Sequence, residues 1–222
     1  WNPSMNKPVE LIIFDWDGTL VDSTGRIVDS MQRAARDIGL VEVPDSAVQN
    51  IIGLGLPEAI KTVWPDIHTD QLPVMSAAYA HYFVVDSQVG MDFFPEARDM
   101  LERLRSNYRL AVATGKSRKG LDRMLDDMAI RHCFDITRCA DETKSKPNPQ
   151  MLKEILVELD LQPEQALMVG DTSYDLDMAK AIGMDSVGMS HGAHDESVLL
   201  ACGPRAICHS IQELELWIGT HG

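Results

Sequence analysis

The chain alternates short apolar runs with stretches in which apolar residues recur at helical spacing. Three runs are wholly apolar, at 11–14, 110–113 and 166–169. Such runs are typical of strands that are buried on both faces of a parallel sheet. Weaker strand patterns lie at 134–138, 186–189 and 206–208, and helical patterns separate the later runs. Strands that alternate with helices predict an α/β fold with a doubly wound parallel sheet and right-handed crossovers.

The stretch between residues 22 and 90 differs, because it contains helical patterns and no strong strand. Helices are predicted at about 27–38, from Pro44 onward, at 57–63 and at 72–85. This predicts an all-helical domain at 22–91, inserted into a core domain formed by 5–21 and 92–222. Ligands of parallel sheets bind beyond the carboxyl ends of the strands, and we expect the insertion to lie over that edge. Residues 1–4, which precede Met5, are expected to be a remnant of an expression vector.

Two helix starts are predicted from their capping residues. Ser117 precedes the pattern at 118–128 and is a favourable N-cap residue. Asn148 precedes Pro149, so we expect Asn148 to cap the next helix and Pro149 to occupy its first position.

The first apolar run ends in Asp15-Trp16-Asp17-Gly18-Thr19. Asp15 follows the predicted strand directly, at the position where a nucleophile is expected. Asp17 lies close enough to transfer protons, and Gly18 allows a sharp backbone turn. Aspartate and glycine are also common in simple turns, so this fragment alone leaves both interpretations open.

Three further stretches carry candidate chemistry. Thr114-Gly115 precedes a helix and can either cradle a phosphate or simply start that helix. Lys146 precedes a helix that starts with proline, where a cation is unfavourable to the helix dipole unless an anion lies nearby. Asp171 follows a buried strand, and Asp175 lies one helical turn later. Either can be a helix-start residue, but Asp171 together with Asp15 offers an oxygen-rich site that suits Mg²⁺.

In this order the four stretches resemble the motifs of the haloacid dehalogenase-like (HAD) superfamily. The helical insertion looks like the C1-type cap of its subfamily IA, in the phosphoglycolate phosphatase and β-phosphoglucomutase branch. The resemblance extends over the chain from about residue 10 and implies a Rossmann-like core. It also implies a Mg²⁺-dependent phosphatase that acts on a small phosphorylated metabolite through an aspartyl phosphate.

The resemblance assigns a role to each matching residue. It makes Asp15 the nucleophile and Asp17 the acid that protonates the leaving oxygen and later activates water. Mg²⁺ would be held by Asp15, the backbone carbonyl of Asp17, and Asp171. The remaining matches are Thr114 and Gly115 for phosphate oxygens, Lys146 for charge neutralisation beside the phosphate, and Asp175 for orienting metal-bound water or the lysine.

The formal net charge is −14. Such a surface repels nucleic acid and anionic membranes, so neither is an expected partner. No apolar run approaches the ~20 residues that span a bilayer, and no secretory leader is visible. The four cysteines lack C-x-x-C spacing and are expected to be reduced thiols. We therefore expect a cytoplasmic monomer or homodimer.

Several alternatives remain open from the sequence. A phosphomutase or pyrophosphatase shares these motifs, whereas a dehalogenase does not need an acid at the position of Asp17. A phosphonatase needs a lysine in the cap, where Lys61 is the only one. A receiver domain or a non-catalytic scaffold on the same fold represents a different class, which Asp17 and the insertion argue against.

The substrate is not readable from the sequence, and phosphoglycolate is the leading candidate by resemblance alone. The loop at Gly53-Leu54-Gly55 is a candidate specificity loop. Arg26, Arg33 and Lys61 are candidates for a second anion, although solvated surface positions are more common for such residues. His191 and His194 are interpreted as loop residues rather than metal ligands.

Overall fold

A six-stranded parallel sheet forms the centre of the computed structural model, which describes residues 8–222. Its strand order is β5-β4-β1-β6-β7-β8, so the first strand of the chain lies in the middle. The strands are β1 (Leu11–Phe14), β4 (Arg109–Thr114), β5 (Ile136–Cys139), β6 (Ala166–Gly170), β7 (Asp185–Met189) and β8 (Ala206–Cys208). The predicted doubly wound parallel sheet is confirmed.

The central strand explains why its sequence is apolar without alternation. All four residues of β1 are fully buried, because helices cover both faces of the sheet. Ile12 and Phe14 pack into the hydrophobic cluster on one face. Leu11 and Ile13 pack into the cluster on the other face.

Six helices follow the insertion in sequence and cover the sheet. They are α5 (Ala97–Leu104), α6 (Arg118–Asp127), α7 (Gln150–Leu159), α8 (Ser173–Lys180), α9 (Glu196–Ala201) and α10 (Ile211–His221). Ser117 caps α6 as predicted, since its Oγ accepts from the Gly120 N–H at 3.1 Å.

Two predicted boundaries are wrong. Helix α7 begins at Gln150, with Pro149 rather than Asn148 at its N-cap. Asn148 still accepts a hydrogen bond from the Gln150 N–H at 3.1 Å, because asparagine side chains readily close such a turn. The strand predicted at 134–138 begins later, at Ile136, because a 3₁₀ turn at Arg131–Cys133 precedes it.

Four helices lie between β1 and β4, as the sequence predicts. They are α1 (Thr24–Asp37), α2 (Asp45–Gln49), α3 (Leu56–Val63) and α4 (Gln71–His81). The predicted helix 72–85 is α4 followed by a π-helical turn at Tyr82–Asp86. These helices share a hydrophobic cluster of their own, which includes Met31, Ile60 and Met75.

A short antiparallel ribbon connects the two ends of this helical insertion. Strand β2 (Val21–Asp22) pairs with β3 (Asp92–Phe93), and Val21 lies opposite Phe93. This ribbon is not predicted by the sequence pattern, because two-residue strands leave no periodic signal. The predicted domain bounds, 22–91 against 5–21 and 92–222, stay a prediction, and residues 1–7, including the expected remnant at 1–4, lie outside the described residues.

No helix within residues 8–222 is both long enough and apolar enough to cross a membrane.

Candidate active site

Three adjacent strands bring the candidate residues to one edge of the sheet. Strand β1 lies between β4 and β6, with Phe14 paired to Val112 on one side and Val169 on the other. Asp15 follows β1, Thr114 ends β4, and Asp171 follows β6. Because the carboxyl ends of parallel strands lie at the same edge, residues distant in sequence converge there.

Lys146 lies between two carboxylates at the floor of this site. Its Nζ is 2.9 Å from Oδ1 of Asp15 and 2.7 Å from Oδ1 of Asp175. All three side chains are buried. Oδ1 of Asp15 also accepts from the Trp16 N–H at 2.7 Å, whereas Oδ2 of Asp15 is buried and has no hydrogen-bond partner among the described residues. Asp15 therefore presents one oxygen that is free to react or to bind a cation.

Asp171 completes the group and is held by two donors. Thr19 donates its hydroxyl to Oδ1 of Asp171 at 2.8 Å, and the Ala193 N–H donates to Oδ2 at 2.7 Å. Gly18 lies against the same carboxylate, with a positive φ of 80°. A Cβ at Gly18 would lie 2.1 Å from Oδ2 of Asp171, so both the backbone conformation and the close approach require glycine.

Asp175 is held by the start of its own helix. Its Oδ2 accepts from the backbone N–H and the hydroxyl of Thr172, at 3.1 and 2.8 Å, in a capping box at the N-terminus of α8. Its Oδ1 receives Lys146. Both oxygens are therefore in use, which fits a role in orienting the lysine.

The electrostatics of this buried group are unbalanced. Burial raises the pKa of Asp15 well above its usual range, and the nearby Asp175 charge raises it further. Burial likewise raises the pKa of Asp171 to about 7, with a contribution from Asp175. Burial would lower the pKa of Lys146, but Asp15 and Asp175 outweigh that effect and raise it. One ammonium thus faces three buried carboxylates.

This donor set fits a divalent cation. Carboxylate oxygens of Asp15, Asp171 and Asp175 all lie within 4.8 Å of one another. An oxygen-only set suits Mg²⁺, and two positive charges would balance the excess of carboxylates over Lys146.

Asp17 forms contacts apart from these three carboxylates. Its Oδ1 accepts from the Ser23 hydroxyl at 2.7 Å, and both carboxylate oxygens lie 3.2 Å from Nζ of Lys116. The ammonium of Lys116 also lies 4.6 Å from the ring centroid of Phe83 in the insertion. Asp17 is thus held by groups different from those that hold Asp15, in agreement with separate chemical roles.

Lys116 has no role among the sequence-based predictions. A signal was available, because Lys116 directly follows Thr114-Gly115 at a strand end. Its partner, however, lies 99 residues away and could be identified only from the structure.

The predicted phosphate-binding residues lie beside this pair. Thr114 is buried, and its Oγ1 accepts from the Lys116 N–H at 3.1 Å. Gly115 lies against the loop predicted to set specificity. A Cβ at Gly115 would lie 2.5 Å from the carbonyl oxygen of Gly53 and 2.6 Å from that of Leu54.

Further hydrogen bonds join the helical insertion to the core. The Gly55 N–H donates to Oγ of Ser145 at 2.8 Å. The Asn50 carbonyl accepts from the Tyr174 hydroxyl at 2.7 Å and pairs with Nε2 of His194 at 3.0 Å. Because Nδ1 of His194 accepts from the Ser173 N–H at 3.0 Å, Nε2 carries the proton. The insertion therefore contacts the core directly.

Two candidate cations of the insertion, Arg26 and Arg33, bind backbone carbonyls within the insertion. Arg26 donates to the Phe83 carbonyl at 2.8 Å, and Arg33 donates to the Asp86 carbonyl at 3.2 Å. Both arginines brace the π-helical turn. Neither they nor Lys61 are among the described residues that line the cavity beside Asp15 and Asp17.

Comparisons with known proteins show the family of the chain. The sequence profile described as "Haloacid dehalogenase-like hydrolase" matches residues 12–189. The "Probable phosphatase IndB" of Dickeya dadantii is 32% identical, with 92% of this chain and 91% of that protein covered. The "Phosphoglycolate phosphatase" of Vibrio cholerae is 31% identical, with coverages of 84% and 86%.

A solved structure shows the same architecture. A crystal structure from Haemophilus somnus, described as a "predicted phosphoglycolate phosphatase", superposes with a TM-score of 0.85 at 25% identity. The match covers 95% of this chain and 98% of that one.

Proposed function

Because the chain belongs to the haloacid dehalogenase-like hydrolase family, we propose that it is a Mg²⁺-dependent phosphatase. Its substrate would be a small phosphate monoester, hydrolysed through an aspartyl phosphate. The observation that carries this proposal is the buried Asp15, which has Lys146 on Oδ1 and a free Oδ2. The names of the relatives, which include phosphatases and phosphoglycolate phosphatases, support the same reaction class.

In the first step Oδ2 of Asp15 forms a bond to phosphorus while the bond from phosphorus to the ester oxygen breaks. Asp17 gives its proton to the leaving oxygen. In the second step the Asp17 carboxylate takes a proton from water, which attacks phosphorus and displaces Asp15. This division uses one carboxylate as nucleophile and another as acid and base.

Approach of a phosphate to buried carboxylates requires positive charge. Lys146 holds Oδ1 of Asp15 and leaves Oδ2 without a hydrogen-bond partner among the described residues, and Asp175 fixes the lysine. Asp15, Asp171 and the Asp17 carbonyl would hold Mg²⁺, which when bound offsets charge on the transferring group. Thr114 and the Gly115 N–H would hold phosphate oxygens.

The helical insertion acts in this proposal as a cap domain, 22–91, on a core domain formed by 5–21 and 92–222. Its loop at Gly53 and Leu54 lies over Gly115, and the β2–β3 ribbon is its attachment. Closure of such a cap would exclude bulk water during the first step. We also propose a cytoplasmic location, since all four cysteines are free, as expected in a reducing compartment.

The test is phosphate release from a panel of phosphoglycolate, sugar phosphates, nucleotides and pyrophosphate, with Mg²⁺ and with chelator. We expect Mg²⁺-dependent release from at least one monoester, abolished by Asp15→Asn. Asp22→Asn, which changes an exposed aspartate of the ribbon, is the matched control and should retain activity. Full turnover in excess chelator, or activity retained by Asp15→Asn, would contradict the proposal. Conversion of a sugar phosphate to its isomer without phosphate release would indicate a mutase instead.

A further inference from the structure

The cavity beside Asp15 and Asp17 has a mainly apolar wall on the side of the helical insertion. It has a volume of about 470 Å³, and both Asp15 and Asp17 line it. The helical insertion contributes mainly apolar side chains, among them Ile27, Met31, Ile52, Leu56, Phe83 and Val84. Val84 is 41% exposed, although it is apolar. A lining of apolar side chains with a few polar groups is typical of a pocket that binds a small molecule.

The cavity has this size while the insertion contacts the core. The carbonyls of Gly53 and Leu54 approach Gly115 so closely that no Cβ fits there, and the Gly55 N–H is bonded to Ser145. The volume is therefore that of a closed arrangement. It holds roughly 15 water molecules at about 30 Å³ each.

The cation nearest to the floor of the cavity already has partners. Lys116 lies 3.2 Å from the Asp17 carboxylate and 4.6 Å from the centroid of the Phe83 ring. On α6 the cavity is also lined by Arg123, which is half-buried and has no carboxylate within 4.0 Å among the described residues. Lys119 of the same helix also lines the cavity and is exposed, with no carboxylate within 4.0 Å among the described residues, so Lys119 and Arg123 are the cations available for an acidic group on a substrate.

Resting on the proposed phosphatase activity, we propose that the alcohol part of the substrate is a bulky apolar group, either an aromatic ring or a branched hydrocarbon. A ring-sized body would displace water from the apolar side chains of the wall that remain accessible, Leu54, Leu56 and Val84, which favours binding in proportion to the apolar area covered. A glycolate body is too small to cover these side chains. Its carboxylate would lose hydration against the apolar wall unless it reached Lys119 or Arg123.

The first experiment compares two primary alkyl esters, benzyl phosphate and phosphoglycolate, with acetyl phosphate as a small reference substrate. We expect kcat/KM for benzyl phosphate to exceed that for phosphoglycolate by roughly tenfold or more, mainly through KM. Calorimetry with benzylphosphonate and phosphonoacetate, neither of which can be hydrolysed, measures the same preference without turnover. Benzylphosphonate should bind more tightly.

The second experiment uses two adjacent valines of the same π-helical turn. Val84→Ser removes apolar surface from the cavity wall and should raise KM for benzyl phosphate roughly fivefold, with acetyl phosphate unaffected. Val85→Ser is the matched control, because Val85 is 63% exposed and does not line the cavity. It should change neither value.

The outcomes separate the two proposals. No phosphate release from any ester would refute the phosphatase, while the phosphonate affinities would still report on the cavity. Tighter binding of phosphonoacetate than of benzylphosphonate would overturn the apolar substrate. A preference for phosphoglycolate that Arg123→Gln removes would also overturn it and would assign the cavity to an acidic substrate. Equal effects of Val84→Ser and Val85→Ser on KM for benzyl phosphate would contradict a role of the apolar cavity wall in substrate binding.

Discussion

Asp15 and Asp17 are two residues apart, yet their surroundings differ. Asp15 lies at the end of a buried strand, where Lys146 and burial act on it. Asp17 lies within the turn that follows the strand, where Ser23 and Lys116 hold it. The difference arises because Gly18 and its neighbours turn the chain immediately after β1. Substitution of each carboxylate should therefore block a different step.

Asp17→Asn should leave the first step partly intact, because Asp15 can still attack. With an aryl phosphate the leaving group hardly needs a proton, but the second step lacks its base, a loss of ~10² to 10⁴ in rate. Rapid-quench kinetics should show a burst of about one equivalent of phenol, as expected for a covalent intermediate, followed by slow turnover. Mass spectrometry should find phosphate on Asp15.

Asp22→Asn is the control and should show ordinary steady-state turnover without a stalled intermediate. Phosphate on any residue other than Asp15 would refute the assignment of the nucleophile. Slow turnover of Asp17→Asn without a burst would contradict the division of roles.

His191 is a single residue that should make the free energy of unfolding depend on pH. Its ring stacks on Phe94 at 3.8 Å between centroids, and Nε2 pairs with the Thr19 carbonyl at 3.0 Å. Burial lowers the pKa of His191 below its ordinary value of 6.5. As the pH falls through 6.5 the unfolded chain therefore binds the proton first, and the free energy of unfolding decreases.

His191→Gln should lose less of its free energy of unfolding between about pH 7.5 and about pH 5.5 than the unsubstituted protein. Urea titrations at the two pH values measure this difference. His68→Gln, at an exposed histidine, is the control and should behave as the unsubstituted protein does. An unchanged pH dependence in His191→Gln would show that the buried imidazole makes no contribution.

At the scale of elements, contact between the insertion and the core depends on one loop and one glycine. The loop after α2 supplies the Gly53 and Leu54 carbonyls that lie against Gly115, and its Asn50 carbonyl is bonded by Tyr174 and His194. The β2–β3 ribbon connects the insertion to the core. Because the insertion has its own hydrophobic cluster and is attached through this short ribbon, opening by rotation is favoured over unfolding of the insertion.

Gly115→Ala should therefore prevent full closure. The added Cβ would lie 2.5 Å from a backbone oxygen, which a side-chain movement cannot relieve. We expect a larger radius of gyration by small-angle scattering in the presence of Mg²⁺ and a phosphate analogue, together with slower turnover. Gly219→Ala, where nothing lies within 4 Å of the added atom, is the control. Identical scattering from both variants would contradict the closure model.

At the scale of the whole molecule, negative charge dominates. The net charge of −14 acts against the binding of any phosphate, and the floor of the site adds three buried carboxylates to one lysine. Local positive charge is therefore required for both stability and binding. A bound divalent cation should raise the stability of the folded protein by mass action.

Mg²⁺ at about 100 times its Kd should add about 2.7 kcal/mol to the free energy of unfolding, which corresponds to roughly 5–10 °C in Tm for a chain of this size. Thermal denaturation with Mg²⁺ and with chelator measures the shift. Asp171→Asn should lose most of it. Asp177→Asn, at an exposed aspartate of the helix that follows Asp171, should keep it. An equal shift in both variants would exclude Asp171 as a ligand.

Much of the fold could be predicted from the sequence, because it depends on neighbouring residues. Buried strands and amphipathic helices have local periodicity, which identified the parallel sheet and the four-helix insertion. The family, inferred from four short motifs, is confirmed by the profile match over residues 12–189. The two-residue ribbon and the start of α7 at Gln150 were missed or wrong, since too few residues carry those signals.

The sequence by itself determined which side chains follow the strand ends, and hence the candidate residues. Only the tertiary structure decided how they pair. Thr19 meets Asp171 across 152 residues, Lys116 meets Asp17 across 99, and His194 meets Asn50 across 144. Such pairs depend on strand order, loop path and side-chain rotamers together. The apolar character of the cavity has the same origin, because the inward faces of α1, α4 and the π-helical turn become a wall only once they pack over the sheet.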